Sequence, residues 1–410
     1  MDKINAYWDW DEYGNDSHRA FRAKVRQFVE TEMIPYIDEW EEKHEYPKDL
    51  QVKAAKCGVY GCIYPDEYGG TKDSVLGKGS DGKPIKFDAI HDWIFWDELG
   101  RSCSNGTIVG AFFVTSIALP PVIKHGLAAG GERTKEVARG VLSGQDVVSL
   151  AITEPGGGSD VANLKTTAKK EGNLYVVNGE KTLISSGMRA KWLTTAVRTG
   201  GDGLGGVSLL LIPTDLPGVK RRRIATMGWD TSQTTAIQFE NVKVPAEYLI
   251  GTENEGFYAI MENFNHERWR GVCMGVRGVR EVLEDAILYA KSRSTFGKKL
   301  VKHQVIMHKL GEMIRHCLSN YALLKSINEK MVSDPEDPAL AGLIAMTKVH
   351  NSRSLEYVCR EAMQIFGGRG YIRGGRGGKI ERAYRDVRAA AIGGGSEEVM
   401  LELGCKMARL

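Results

Sequence analysis

None of the seven cysteines (Cys57, Cys62, Cys103, Cys273, Cys317, Cys359, Cys405) forms a Cys-x-x-Cys pair, so neither a zinc ribbon nor a dithiol redox site is written into this chain. Their odd number and scattered spacing point to reduced, mostly buried thiols, and no metal is expected. An excess of one charge is also missing: 55 Lys plus Arg face 52 Asp plus Glu, a formal net charge of +3. That balance gives no electrostatic reason to expect nucleic acid or an acidic membrane as partner. Low-complexity tracts are absent, and no apolar run approaches the roughly 18 residues of a membrane span. Met1 to Glu12 is acidic and lacks both the apolar region of a secretory signal and the Arg-rich character of a mitochondrial presequence. What is present is ordinary for a soluble globular protein: 410 residues, 42% hydrophobic and 26% charged, enough chain for two or three domains.

Periodicity divides the chain into thirds. Phe21, Val25, Phe28, Val29 and Met33 recur at helical spacing until Pro35 interrupts them, and a similar style runs from about Asp88 through Gly140. Between them Thr71 to Lys86 is polar and Gly-rich, a surface loop. From about Val147 the pattern turns to strands. Asn178-Gly179 between β-prone runs predicts a hairpin, and Val207–Ile212 and Ile237–Pro245 predict further strands. After Gly251 the helical period returns: Ile306, Leu310, Met313, Cys317, Tyr321 and Leu324 mark one long buried face, and another helix runs from about Ala339 to Gly367-Gly368. The expectation is a multidomain α+β protein with an N-terminal α-helical domain (1–147), a central β-domain (148–252) and a C-terminal four-helix bundle (253–410). No strand-helix alternation exists to build a doubly wound sheet.

Several glycine and charge clusters carry ordinary readings. Gly201-Asp202-Gly203-Leu204-Gly205-Gly206 precedes a strand, where a dinucleotide fingerprint must open a helix, so it reads as a hairpin loop. Lys220 to Arg223 reads as a solvated edge. Leu150-Ala151-Ile152-Thr153-Glu154-Pro155-Gly156-Gly157-Gly158-Ser159-Asp160 is more informative. Here a strand runs into three glycines that let a ligand approach the backbone and its N–H groups.

Thr153 to Asp160, Asn178-Gly179-Glu180-Lys181 with Ser185-Ser186-Gly187, Met227-Gly228, Phe239 to Pro245, Arg293-Ser294-Thr295-Phe296-Gly297 and Gln364-Ile365-Phe366-Gly367-Gly368 follow one another in order. In this arrangement the chain resembles the acyl-CoA dehydrogenases over nearly its whole length. The resemblance implies that family's three-part fold, one FAD per subunit, a homotetramer or homodimer, and an acyl-CoA substrate. It places Leu150, Ile152 and Thr153 along the isoalloxazine with Ser185 at its polar edge, and Ser159 on the pantetheine arm. Arg293, Thr295, Phe296 and Gln304 match the segment that holds the FAD pyrophosphate and adenine across a subunit interface. Gln364 and Gly368 match the facing contacts, and Ser396 and Glu398 the pair that closes over the flavin.

Two departures from the family pattern carry chemical weight. Leu183 stands where many members have an aromatic residue beside the flavin. The Tyr-Glu-Gly-Thr/Ser loop reads Gly393-Gly394-Gly395-Ser396, so the usual base position is Gly394, which cannot take a proton. The α-proton of a thioester is weakly acidic and needs a carboxylate. In a branch that includes the isovaleryl and long-chain enzymes, that carboxylate lies in a Glu-Arg pair on the first C-terminal helix, present here in Asn265-His266-Glu267-Arg268. Taken alone, Glu267 is an exposed carboxylate paired with a cation such as Arg270. In the family register it is the base, Asn265 and Arg268 contact substrate, and the Gly394 N–H remains as a donor to the thioester carbonyl.

The resemblance therefore implies α,β-dehydrogenation to a trans-2-enoyl-CoA, with electrons leaving to an electron-transferring flavoprotein or to O₂. An acyl-CoA oxidase, a flavin enzyme acting on nitroalkanes, and a catalytically silent flavin- or acyl-binding protein are the alternatives. Ala408-Arg409-Leu410 reads either as a peroxisomal address or as a frayed helix end. The expected location is the cytoplasm of a bacterium or the peroxisomal matrix of a eukaryote. The Arg and Lys residues between Arg369 and Arg388 read as a helix paired with Glu381 and Asp386.

Overall fold

The computed structural model describes residues 14–79, 82–335 and 337–409, so the acidic first stretch and Leu410 of the terminal tripeptide lie outside the described residues. The first part is helical, with α1 (Asp16–Glu32), α2 (Ile37–Lys43), α3 (Leu50–Lys56), α4 (Ala89–Gly100), α5 (Asn105–Ile108), α6 (Val114–Ala118), α7 (Pro120–His125) and α8 (Gly131–Leu142). Pro35 acts as expected and sits in a 3-10 turn, Ile34–Tyr36, that separates α1 from α2. One expectation is corrected. Asn105–His125 is long and apolar enough by composition to cross a membrane, because its Gly, Thr and Pro residues interrupt the run but leave its mean hydropathy high. Of its most apolar window, 78% is buried inside the protein, as for a core helix. A π-helical turn, Val109–Phe113, joins α5 to α6. Such a turn disturbs the helix ladder, and side chains supply donors: Tyr46 Oη to the Gly110 carbonyl at 2.7 Å and Gln51 Nε2 to that of Ala111 at 3.1 Å.

The middle part contributes β1 (Val148–Ala151), β2 (Thr167–Glu171), β3 (Leu174–Ile184), β4 (Trp192–Arg198), β5 (Val207–Pro213), β6 (Val219–Arg223), β7 (Thr235–Pro245) and β8 (Leu249–Ile250). They form one mixed sheet in the order β6-β7-β3-β2-β4-β5-β8, with β1 parallel to β4. The predicted hairpin at Asn178-Gly179 is not there. Both residues lie inside β3, where the register with β7 shifts between Val177 and Gly179. The turn joins β2 to β3 instead, at Gly172 with φ +61°. Gly179 serves a close approach: a Cβ on it would meet Thr166 Cα at 2.6 Å. The Lys220–Arg223 run is the edge strand β6 itself. Arg221 there donates to the carbonyls of Gly187, Met188 and Ala190.

The last part is helical again: α9 (Gly256–Ser292), a short hairpin of β9 (Ser294–Thr295) and β10 (Lys298–Lys299), α10 (Gln304–Ser333), α11 (Ala339–Phe366), α12 (Gly378–Ile392) and α13 (Glu397–Met407). The expected α10 stripe is buried at Ile306, Leu310, Met313, Cys317 and Leu324. Beside it Asn320 is buried too, accepting from Asn351 Nδ2 at 3.0 Å. All seven cysteines are free thiols, five of them buried. Four members of the basic stretch lie in ion pairs, Lys379 with Asp285, Arg382 with Asp38, Arg385 with Glu381 and Arg388 with Glu356, so of these the expected Glu381 takes one and the others reach acids on other elements.

These elements compose two compact units. One takes the described residues of Met1–Asp38, Lys78–Asn105 and Arg268–Leu410; the other takes Glu39–Gly77 and Gly106–Glu267. In the first, the N-caps of two helices are fused. Asn15 caps α1 and its N–H donates in return to His18 Nδ1, Asp88 caps α4 and its N–H donates in return to His91 Nδ1, and the Asp88 carboxylate also accepts from His18 Nε2 at 3.1 Å. Burial pushes the Asp88 carboxyl upward, but its bonds to His18 and His91 outweigh that and hold it far below the usual range. A depressed folded value stabilises above the unfolded value of about 4 and is lost as pH falls through the folded value. Asp88→Ala is therefore expected to lower stability by about 1–2 kcal/mol at neutral pH. In urea unfolding series that difference should shrink steadily as the pH is lowered from about 4.

Candidate active site

In the sheet-bearing unit, β1 carries Leu150 and continues through Ile152 and Thr153 into the three-glycine turn. Glu154 closes that turn on Gly157 through two backbone hydrogen bonds, 3.0 and 3.1 Å. A Cβ on Gly156 would meet nothing within 4 Å, so the turn presents open backbone, and Ser159 is exposed beyond it. Thr182 N donates to Thr153 O at 2.8 Å, which sets the end of β1 beside the end of β3, where Leu183 and Ser185 lie. Leu183 is 56% exposed with φ +58°, an apolar side chain turned outward on a strained backbone. Leu150, Ile152, Thr153 and Ser185 thus gather at one edge, where the ends of β1 and β3 meet; Ile152 itself is buried in the core.

Sequence reading passed over the pair that supports this edge. Lys181 is 1% exposed, and its ammonium donates to Ile152 O at 2.9 Å and to Glu154 Oε1 at 2.8 Å. The Glu154 carboxylate also accepts from Lys165 N and Thr166 N, at 2.7 and 2.9 Å. Burial lowers the Lys181 ammonium to about 8 against the pull of Glu154. Burial alone would raise the Glu154 carboxyl, but the Lys181 charge and these bonds hold it below its ordinary value. The signal was in the alternation: Lys181 falls on the same face as Tyr175 and Val177, which are fully buried.

In the helical unit, Arg293 and Thr295 belong to the hairpin after α9, and Gln304 opens α10. Phe296 at the hairpin tip is 96% exposed with φ +49°. Tyr289, which accepts the Arg293 N–H, stacks on Phe366 with ring centroids 4.1 Å apart. That stack brings the hairpin base to the end of α11, where Gln364 and Gly368 are exposed.

The Gly393–Gly395 turn lies between α12 and α13. Gly394 has φ +67° and Gly395 φ +108°, both in the left-handed region that favours glycine. Two cations hold the turn. Arg268 Nε donates to Gly394 O at 2.9 Å, and Lys348 Nζ donates to Gly395 O at 2.7 Å. Lys348 was not legible beforehand, since nothing in the sequence places α11 against this turn. Ser396 opens α13, and the exposed Glu398 carboxyl is held low by its own N–H and by Ser396.

Glu267 is 7% exposed, so it is not the exposed helix carboxylate that its sequence alone allows. It directly precedes Arg268 on α9, and Asn265 lies half a turn before it. Arg270 donates to Asp92 Oδ2 from Nη2 at 2.9 Å and from Nε at 3.2 Å.

Comparison with known proteins decides what this arrangement belongs to. Three consecutive family models match: the acyl-CoA dehydrogenase N-terminal domain over residues 15–134, the middle domain over 149–242 and the C-terminal domain over 254–407. The chain belongs to the acyl-CoA dehydrogenase family. Acyl-CoA dehydrogenase AFT10-1 of Alternaria alternata is 38% identical over 395 residues, covering 95% of this chain and 90% of that protein. The mitochondrial long-chain specific acyl-CoA dehydrogenase of Sus scrofa is 31% identical over 397 residues, covering 95% and 86%. The crystal structure of acyl-CoA dehydrogenase from Geobacillus kaustophilus superposes with a TM-score of 0.87 at 28% identity, covering 97% of this chain and 100% of that one. The N-terminal helical, central β and C-terminal helical organisation is that of the family.

As an acyl-CoA dehydrogenase, the chain is an FAD-dependent oxidoreductase. Its residues fit that cofactor. The open backbone at Gly156 and the outward Leu183 offer an apolar and hydrogen-bonding edge to a ring system. The exposed hairpin and the Cβ-free space at Gly367 and Gly368 offer backbone and cationic groups to a dinucleotide.

Proposed function

We propose that this acyl-CoA dehydrogenase removes the α-proton of a saturated acyl-CoA with Glu267 and yields a trans-2-enoyl-CoA. The observation that carries the assignment is the buried Glu267 carboxylate next to Arg268, which itself fastens the base-less Gly394 turn. With glycine at 394, no side chain of that turn can take a proton. Bound FAD supplies a hydride acceptor at N5.

The chain's own residues bind and orient. Leu150, Ile152, Thr153 and Ser185 would flank the isoalloxazine; Arg293, Thr295, Phe296, Gln304, Gln364 and Gly368 the dinucleotide; Ser396 and Glu398 its covering side. Ser159, Asn265 and Arg268 would contact the thioester, and the Gly394 N–H would donate to its carbonyl as enolate charge develops. Arg268, by holding Gly394 O, fixes the peptide plane that follows Gly394 and so anchors the turn that carries this N–H. The 96% exposed Phe296 accords with a homo-oligomer in which a second copy covers the hairpin. Electrons would pass to an electron-transferring flavoprotein or to O₂, in the cytoplasm or the peroxisomal matrix.

Anaerobic titration of the FAD-loaded protein with acyl-CoAs of graded length and branching tests the reading. Bleaching of the flavin band by one class of thioester is expected. No bleaching by any of them would overturn it, and peroxide release on readmitting air would assign the acceptor to O₂.

A further inference from the structure

Lys181 has no place in the chemistry just proposed, yet it is among the most buried charges of the chain. It lies on the inward stripe of β3 with Tyr175 and Val177, both fully buried, where an apolar residue would satisfy packing. An ammonium on such a face is unfavourable unless every proton is well placed. Its partners are specific. One bond goes to the carbonyl of Ile152 and one to the carboxylate of Glu154, so a single nitrogen grips the residue before and the residue after Thr153. The next residue of β3, Thr182, holds the carbonyl of Thr153 itself. Glu154 in turn is anchored by Lys165 N and Thr166 N and closes the three-glycine turn on Gly157. Three successive residues, 152 to 154, are thereby fixed from one strand. The backbone from Ile152 to Glu154, which carries the half-buried Thr153, and the turn behind it have one arrangement.

We propose that Lys181, paired with Glu154, is a positioning residue for the flavin, acting through the Ile152–Glu154 backbone rather than by touching the cofactor. This rests on the reading that Ile152 and Thr153 line the isoalloxazine. A buried pair with a purely structural task is often replaceable by apolar residues at little loss of stability. A pair that sets the ligand-facing backbone is not replaceable without loss of cofactor binding.

The test is Lys181→Met, which keeps the length of the side chain and removes the ammonium. Three quantities are read: far-UV circular dichroism of the apoprotein, affinity for added FAD, and the shape of the bound flavin's visible band. A folded apoprotein is expected, with FAD bound about tenfold more weakly, the scale of one lost charge-assisted hydrogen bond, and an altered flavin band. Lys181→Gln, whose amide can still donate to the Ile152 carbonyl, should recover part of both. Unchanged FAD affinity and band shape in Lys181→Met would overturn the proposal. So would failure of both variants to fold, which would make the lysine structural. Thr153→Val separates the two layers of argument. If it too leaves affinity and band unchanged, the flavin does not lie on Thr153, and the reading itself fails. If it shifts them while Lys181→Met does not, only the positioning role fails.

Discussion

Glu267→Gln is expected to slow flavin bleaching by the preferred acyl-CoA by about 10²–10⁴-fold, the range over which a positioned general base contributes. Glutamine keeps the shape of the side chain and its hydrogen-bonding capacity but cannot take the α-proton, so FAD content and acyl-CoA binding should stay near those of the parent. Rapid mixing under anaerobic conditions reads the loss directly as the rate of the first bleaching phase, free of any later acceptor step. A parent-like rate would remove Glu267 from the mechanism. The prediction is sharp because the neighbouring turn holds no alternative: Gly393, Gly394 and Gly395 carry no ionisable group, and Gly394 is in a conformation, φ +67°, that resists side chains.

Asp92→Ala should be the most damaging of the single substitutions considered for stability, lowering it by about 3–5 kcal/mol, because it removes the carboxylate that takes two bonds from the buried Arg270 guanidinium. Asp92 on α4 is 7% exposed and accepts Trp96 Nε1 at 2.8 Å together with both Arg270 bonds. Arg270 lies three residues beyond Glu267 on α9, so the pair also fixes the rotation of that helix about its axis. Replacing both members, Asp92→Leu with Arg270→Leu, should lower stability less than Asp92→Ala alone, since both charges leave the interior together. Urea unfolding of the parent, Asp92→Ala and the double variant measures this. A double variant at least as unstable as Asp92→Ala would show that the pair does not act through its charges.

The helical period of α10 and the strand around Ile237 were readable because one face of each is buried and the other is not, which leaves a direct imprint on residue order; the strand around Val207 was readable as a continuous apolar run because both its faces are buried. Asn178-Gly179 misled for a physical reason. The pair favours a two-residue turn when it joins two strands, but a glycine inside a long strand also answers to whatever backbone crosses it, here Thr166. The apolar character of Asn105–His125 was diluted by scattered Gly, Thr and Pro, and only burial shows it as core. At the site, the order of the motifs was enough to single out the glycine turn after β1, the Arg293–Gly297 segment and the Gly393–Gly395 turn, but not the hairpin that the second of these forms. The clamps were not visible, because Lys181 and Lys348 act on carbonyls, and a carbonyl leaves no mark on the sequence of its partner.

The apolar stretch Asn105–His125 has a consequence for how the protein is made. Its partners include Thr194, whose hydroxyl donates to Ala118 O at 2.8 Å, and strand β1, neither of which exists while the stretch is leaving the ribosome. Tyr46 and Gln51 have already been synthesised and can shield Gly110 and Ala111 early, but the face that the sheet covers must wait for β4. During that interval the nascent chain displays a membrane-like segment to the surrounding water, a natural client for chaperones and a point at which slowed translation would favour aggregation.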